Sequence, residues 1–127
     1  MYELKVVTDF AAAHQLKLVG RKCENLHGHN WKVEVVVQGE TLDNSGVLMD
    51  FGEIKRRVAE IRTVLDHRFL NEIEVFDNDT PPSSENISRF IAHRLQESLE
   101  DQTKVRVSRV TVWESADASA TYFMPLH

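Results

Sequence analysis

CENLHGHNWKVEVVV (residues 23–37) runs a lone cysteine, an acid and two histidines one residue apart directly into an alternating segment. Trp31, Val33, Val35 and Val37 alternate with Lys32 and Glu34, and Gly39 ends the run; this is the period-two signature of a half-buried strand. Extended backwards, the same parity puts His27 and His29 on the side of Trp31, because residues i and i+2 of an extended chain point the same way. Upstream, Tyr2–His14 alternates too. Leu4, Val6, Phe10 and Ala12 share one parity, and His14 falls on it. Residues 15–26 have little periodicity and contain Gly20, so they read as the loop joining two strands.

LDNSG at residues 42–46 is turn chemistry. Next comes a helix, with Asp50 as cap, Glu53 placed to close a capping box, and a stripe of Phe51, Ile54, Val58, Ile61 and Leu65. The stretch DHRFLNEIEVFDNDTPP reads as a loop leading to a second helix. Ser83 or Ser84 caps that helix, and its apolar side is Ile87, Ile91, Leu95 and Leu99, with Phe90 beside them. Lys104–Glu114 and Ser119–Met124 read as the last two strands. The order β-β-α-α-β-β predicts one α+β domain over residues 1–127: a four-stranded, largely antiparallel sheet with both helices on one face. Val36, Val110 and Val112 sit out of phase with their neighbours, which gives the second face an apolar part. Sheets with two edges and such a face are rarely left bare, so the chain is expected to be a homo-oligomer.

At 127 residues the chain fits a single core, and its 42% hydrophobic and 28% charged residues are ordinary for a globular protein. No apolar run approaches the roughly 18 residues of a membrane span. The start, MYELKVVTDF, reads as a strand rather than a leader. Cys23 is the single cysteine, so no internal disulfide is available and a reducing, cytoplasmic setting suits it. The net charge of -5 with no basic stripe argues against a nucleic-acid surface. Walker A, GxGxxG, HExxH and CxxC patterns are absent from the sequence.

His27 and His29 can reach one ion, and Gly28 between them has no side chain to crowd it. His14, near the end of the neighbouring antiparallel strand, supplies a third nitrogen. Three histidines leave one tetrahedral position open, as in a catalytic zinc site rather than a structural one. Cys23 is a fourth ligand closing that site, a free thiol above it acting as base or nucleophile, or an inert buried residue; neighbouring Arg21 and Lys22 favour a reactive thiolate over the last. Asp66-His67 is a carboxylate–imidazole pair of the kind that shuttles protons, although by spacing alone it reads as an acid and a histidine in a polar loop. Glu114 ends a strand in VTVWESADAS, and is either an acceptor facing a pocket or an acid guarding an edge. His93, mid-helix, and His127, terminal, carry no argument for a role.

These residues occur in blocks with a wider resemblance. AAAHQL, CENLHGH, GVLMDFGEIK, LDHRFLN, PSSENI and VWES, in this order and over nearly the whole chain, are similar to the 6-pyruvoyltetrahydropterin synthase and 6-carboxy-5,6,7,8-tetrahydropterin synthase (queuosine-pathway) family. The resemblance implies the tunnelling fold, whose subunits form trimeric barrels that stack as a hexamer with active sites at subunit interfaces. It implies Zn(2+) on His14, His27 and His29, catalysis by Cys23 with Asp66 and His67, and Glu114 holding the 2-amino and N3 edge of a pterin. Ser83 and Ser84 fall in the pterin-contacting segment. Lys17, Arg21, Lys22 and Arg68 are the cations nearest in sequence for a triphosphate.

The implied substrate is 7,8-dihydroneopterin triphosphate. Short loops point to the branch that makes 6-carboxy-5,6,7,8-tetrahydropterin, acetaldehyde and triphosphate. Glu24 leaves a second branch open: in some relatives a glutamate three residues before HGH makes 6-hydroxymethyl-7,8-dihydropterin, and this chain carries both Cys23 and Glu24. Elimination to 6-pyruvoyltetrahydropterin is a third possibility. A non-enzymatic, oligomeric zinc-binding module would explain the histidines and the sheet, but has no need of Cys23, Asp66, His67 and Glu114 together.

Overall fold

In a computed structural model, which describes residues 1–16 and 25–126, β1 (Tyr2–His14) and β2 (His27–Gly39) form an antiparallel ladder running from Tyr2↔Gly39 to His14↔His27. β4 (Arg106–Ser115) adds to the other side of β2, and β5 (Ala118–Phe123) adds to β4. Two helices, α1 (Phe51–Leu65) and α2 (Ser84–Ser98), supply the second layer. The sheet has a fifth strand that the sequence does not reveal. Arg68–Phe69 (β3) lies in a stretch read as loop, yet it pairs parallel to β1 through Ala12↔Arg68 and Ala13↔Phe69, giving the order β3-β1-β2-β4-β5. Two residues are too few to carry a period-two pattern.

The core lies between sheet and helices. Val6, Phe10, Trp31, Val33, Val35 and Val37 from the first hairpin meet Ile54, Val58, Ile61 and Leu65 of α1 and Ile87, Ile91 and Leu95 of α2, with Leu99 at its end, all buried. Phe51 does not belong to that stripe. At the first turn of α1 it remains about half exposed. Arg57 is buried in its place, donating to Asp101 and Glu53 and to the Ser98 carbonyl, and so ties α1 to the end of α2.

Two sequence expectations need correction. Val110 and Val112 lie in the core and not on the second face. The register of β4 against β2 shifts from Val36↔Arg109 to Val37↔Val107, leaving Ser108 as an extra residue. This bulge reverses the alternation, so Val105 and Val107 before it and Val110 and Val112 after it all face inward. Only Val36 of the three is buried outside the main core cluster. The expected capping box at α1 is not formed either. Asp50 precedes the helix without a side-chain cap bond, and the Glu53 carboxylate is taken by Arg56 and Arg57. At α2 the Ser83 hydroxyl does accept from the Asn86 N–H, at 3.1 Å.

Candidate active site

Three adjacent strands deliver side chains to one end of the sheet. His14 is the last residue of β1, His27 and His29 begin β2, and Glu114 is the penultimate residue of β4. All keep the inward parity of their strands. Glu114 continues the phase of Val110 and Val112, and it stands where the β4–β5 register shifts between Trp113↔Ser119 and Ser115↔Ala118, so β5 offers it no pairing partner. Trp31, fully buried, forms the floor. Its ring meets His14 and His29 edge-on at 4.9 and 5.2 Å between centroids, and its Nε1–H donates to the Ala12 carbonyl. The imidazoles gather above it, with centroids 5.1 Å (His14–His29), 5.7 Å (His27–His29) and 6.4 Å (His14–His27) apart.

His14 is held most firmly, being 1% exposed. Its Nδ1 stands 2.8 Å from the Pro82 carbonyl. A carbonyl can only accept, so Nδ1 carries a proton, and in the neutral ring Nε2 presents a lone pair. That lone pair faces Glu114 Oε1 at 3.1 Å, and the same oxygen is 3.1 Å from His29 Nε2. An imidazole lone pair and a carboxylate oxygen this close need a proton or a metal ion between them. Ligand atoms around a tetrahedral zinc with bonds of about 2.0–2.1 Å stand roughly 3.3 Å apart. His14, His29 and Glu114 can therefore hold a metal. The His27 ring stands beside the other two, but its nitrogens are not among the ligand atoms that meet there, where Glu114 takes the expected third place. The sequence offers Glu114 as an acceptor for the substrate, but periodicity cannot show that it stands against the imidazoles, because residues one hundred apart in sequence give no periodic signal.

The remaining candidates are more scattered. Ser83 serves as the cap of α2, with Ser84 next to it, and neighbouring Pro82 is the anchor of His14. Asp66 and His67 lie at the outer edge of the sheet, alongside β1. Asp66 Oδ1 accepts from the Ala11 N–H at 2.9 Å, and its other oxygen stands 3.3 Å from Arg62 and 3.5 Å from His67 Nε2. The Ala11 N–H, helped by Arg62 and His67 against partial burial, holds the Asp66 carboxyl below the usual carboxylate range. It is ionised at neutral pH. His67 adopts a left-handed backbone (φ 57°), an uncommon conformation for a residue other than glycine, and its side chain is 82% exposed. Its N–H donates to the Ala11 carbonyl. Ala11 is three residues before His14, or about 10 Å along the strand at roughly 3.3 Å per residue. Within one chain the His67 ring is thus not gathered with the three histidines.

Cys23 and Glu24 lie outside the described residues, as do Lys17, Arg21, Lys22 and His127. Arg68 is exposed on β3. His93 Nε2 is 3.1 Å from the Tyr122 hydroxyl and packs α2 against β5. Gly28 is not held small by crowding, since a Cβ added there would meet nothing within 4 Å among the described residues.

The chain matches the 6-pyruvoyl tetrahydropterin synthase family over residues 3–125. It belongs to that family. A relative from Pyrococcus furiosus, a dihydroneopterin monophosphate aldolase, is 40% identical over 83% of this chain and 82% of its own length. A 6-carboxy-5,6,7,8-tetrahydropterin synthase from Synechocystis is 32% identical over 91% of this chain and 88% of its own. The 6-pyruvoyl tetrahydropterin synthase structure from Caenorhabditis elegans superposes with a TM-score of 0.85 at 26% identity, covering 98% and 96% of the two chains. The mostly antiparallel sheet with its two helices is the tunnelling fold of this pterin synthase family. None of the described helices is long and apolar enough to cross a membrane.

Proposed function

We propose that this pterin synthase family member converts 7,8-dihydroneopterin triphosphate, with water, to 6-carboxy-5,6,7,8-tetrahydropterin, acetaldehyde and triphosphate, the queuosine-pathway reaction. The observation that carries this reading is the convergence of three imidazoles and one carboxylate on the floor of Trp31, in a chain that places Cys23 four residues before His27. The Synechocystis relative supports the product assignment.

The donor set suits zinc. Imidazole nitrogens are ordinary zinc ligands, and the Pro82 carbonyl fixes His14 in the tautomer that leaves Nε2 available. His14, His27 and His29 would hold the ion, which when bound acts as a Lewis acid on the substrate's side-chain oxygens. Glu114 is positioned to serve as a ligand beside His14 and His29 or as an acceptor for a substrate N–H edge. We assign it the second role, because three imidazoles already supply the protein ligands of a catalytic zinc. Cys23, as thiolate, would take and return protons on the side chain of the substrate. His67, oriented by ionised Asp66, would exchange them in turn. Its backbone bonds Ala11, three residues before His14, and its side chain is exposed, so the site it serves would belong to a neighbouring copy. This requires an oligomer, and the hexamer implied by the resemblance meets the requirement. Sedimentation at micromolar protein should therefore give a mass several times the 14.6 kDa monomer; a monomer would leave His67 with no site.

A second reading has its own support. Glu24 stands beside Cys23, and the Pyrococcus relative is an aldolase acting on a dihydroneopterin monophosphate. On this reading the side chain is cleaved to leave 6-hydroxymethyl-7,8-dihydropterin. Product analysis of the zinc-loaded protein distinguishes the two, with the triphosphate and the monophosphate offered separately and aldehydes trapped. 6-Carboxytetrahydropterin with acetaldehyde is the expected outcome. 6-Hydroxymethyldihydropterin would overturn it in favour of the aldolase, and both substrates surviving intact would favour a zinc-binding module.

A further inference from the structure

The block Asp66–Phe69 runs along the end of β1, and a single 3-10 turn, Leu70–Glu72, follows it. Asp66 and His67 bond the Ala11 N–H and carbonyl, and Arg68 and Phe69 pair with Ala12 and Ala13. That turn carries Asn71. Its Oδ1 accepts from the Gln15 N–H at 2.9 Å, and its Nδ2 donates to the Gln15 carbonyl at 2.8 Å. A side-chain amide has the donor and acceptor of a peptide group, so Asn71 extends the ladder past the point where the backbone of β3 leaves it. The two partners also fix which way round the amide sits.

Gln15 is the residue after His14. His14 is therefore held at two points: its ring by the Pro82 carbonyl, and the N–H of the peptide that follows it by Asn71 Oδ1. The ring anchor sets one point of the imidazole, and the Asn71 bonds add to the strand ladders in holding the backbone on which the ring turns. The ladder with β2 that steadies His14 ends at His14↔His27, so the Asn71 bonds are the next hold on the backbone.

We infer that Asn71 is a positioning residue, which aims His14 Nε2 into the metal site by clamping the Gln15 peptide. The inference rests on the reading of His14 as a metal ligand. The bonds of Asn71 go to the Gln15 main chain, so its effect on the imidazole travels through the backbone. Groups that orient a ligand typically cost 10–100-fold in metal affinity when removed. Because this clamp is exposed and water can replace part of it, about tenfold is the expected loss.

The test compares Asn71→Ala, Asn71→Asp and a control, Asp43→Ala. The control removes a similar clamp at the other end of the molecule, where Asp43 Oδ1 accepts from the Ser45 and Val47 N–H groups. Nitrogen-15 histidine spectra of metal-free protein read the His14 tautomer. Chelator competition reads zinc affinity, and the visible spectrum of cobalt-loaded protein reads ligand geometry. Asn71→Ala should weaken zinc about tenfold, change the cobalt bands and blur the single His14 tautomer. Asn71→Asp should do the same, since a carboxylate keeps the Gln15 N–H but faces its carbonyl with no donor. Asp43→Ala should lower Tm and leave all three readouts unchanged. If Asn71→Ala lowers Tm alone, the clamp merely closes a turn and the inference is wrong. If wild type binds no zinc while Asn71→Ala still blurs the His14 tautomer, the clamp stands and the metalloenzyme reading fails.

Discussion

His14→Ala should abolish zinc binding and turnover and also destabilise the metal-free protein by about 2–4 kcal/mol, lowering Tm by roughly 10 °C. The double effect follows from its position. The ring is fully buried against Trp31, and removing it leaves both a cavity and a Pro82 carbonyl without its donor. His27→Ala gives the contrast. At the open end of β2, and only partly buried, it should lose zinc while metal-free Tm moves by no more than about 2 °C. The comparison must be made without metal, because a bound ion stabilises the folded state by mass action and would confuse loss of a ligand with loss of packing. Zinc retained at wild-type affinity by His14→Ala would remove His14 from the ligand set. Wholesale unfolding of His27→Ala would mean that the metal is structural.

Cys23→Ala should leave zinc affinity and oligomer mass intact and lower turnover about 10²–10⁴-fold, the usual range for removing a group that transfers protons in the transition state. A fourth ligand would behave differently: its loss opens a closed site and weakens the metal. Zinc affinity of the variant thus distinguishes the two roles that the spacing of Cys23 leaves open. Glu24→Gln is the companion. If the carboxy-forming route is the working one, this variant should keep turnover within about threefold of wild type. Loss of activity in Glu24→Gln, with Cys23→Ala still releasing 6-hydroxymethyldihydropterin, would transfer the base role to the acid.

Much of the fold was legible because burial here follows simple periods. Tyr2–His14 alternates, and residues 27–39 do so apart from the buried Val36, so both strands, their ends and the shared face of the histidines could be read from parity. The two helices were visible for the same reason. The failures are local. A bulged residue, Ser108, inverts the phase of β4, and a reader counting by twos then sends Val110 and Val112 to the wrong face. The two-residue β3 is too short to have a period, and its partner β1 shows no sign of being joined on that side. Of the site, the histidines could be read as a cluster because they occupy one hairpin. The Pro82 anchor and the Asn71 clamp are bonds between a side chain and a distant main chain, and main-chain groups are the same in every residue. Nothing in the letters marks which carbonyl will be used.

The order in which the strands leave the ribosome bears on how the site is built. All three imidazoles of the site have been synthesised once residue 29 is in place, on a single hairpin, whereas Glu114 arrives with the last part of the chain. The nascent hairpin therefore carries a complete set of imidazoles well before the helices exist to cover them. The carboxylate is the final group to reach the site, and it can do so only when β4 docks on β2. The hairpin thus gathers the imidazoles, and only the closing of the whole sheet adds the carboxylate to them.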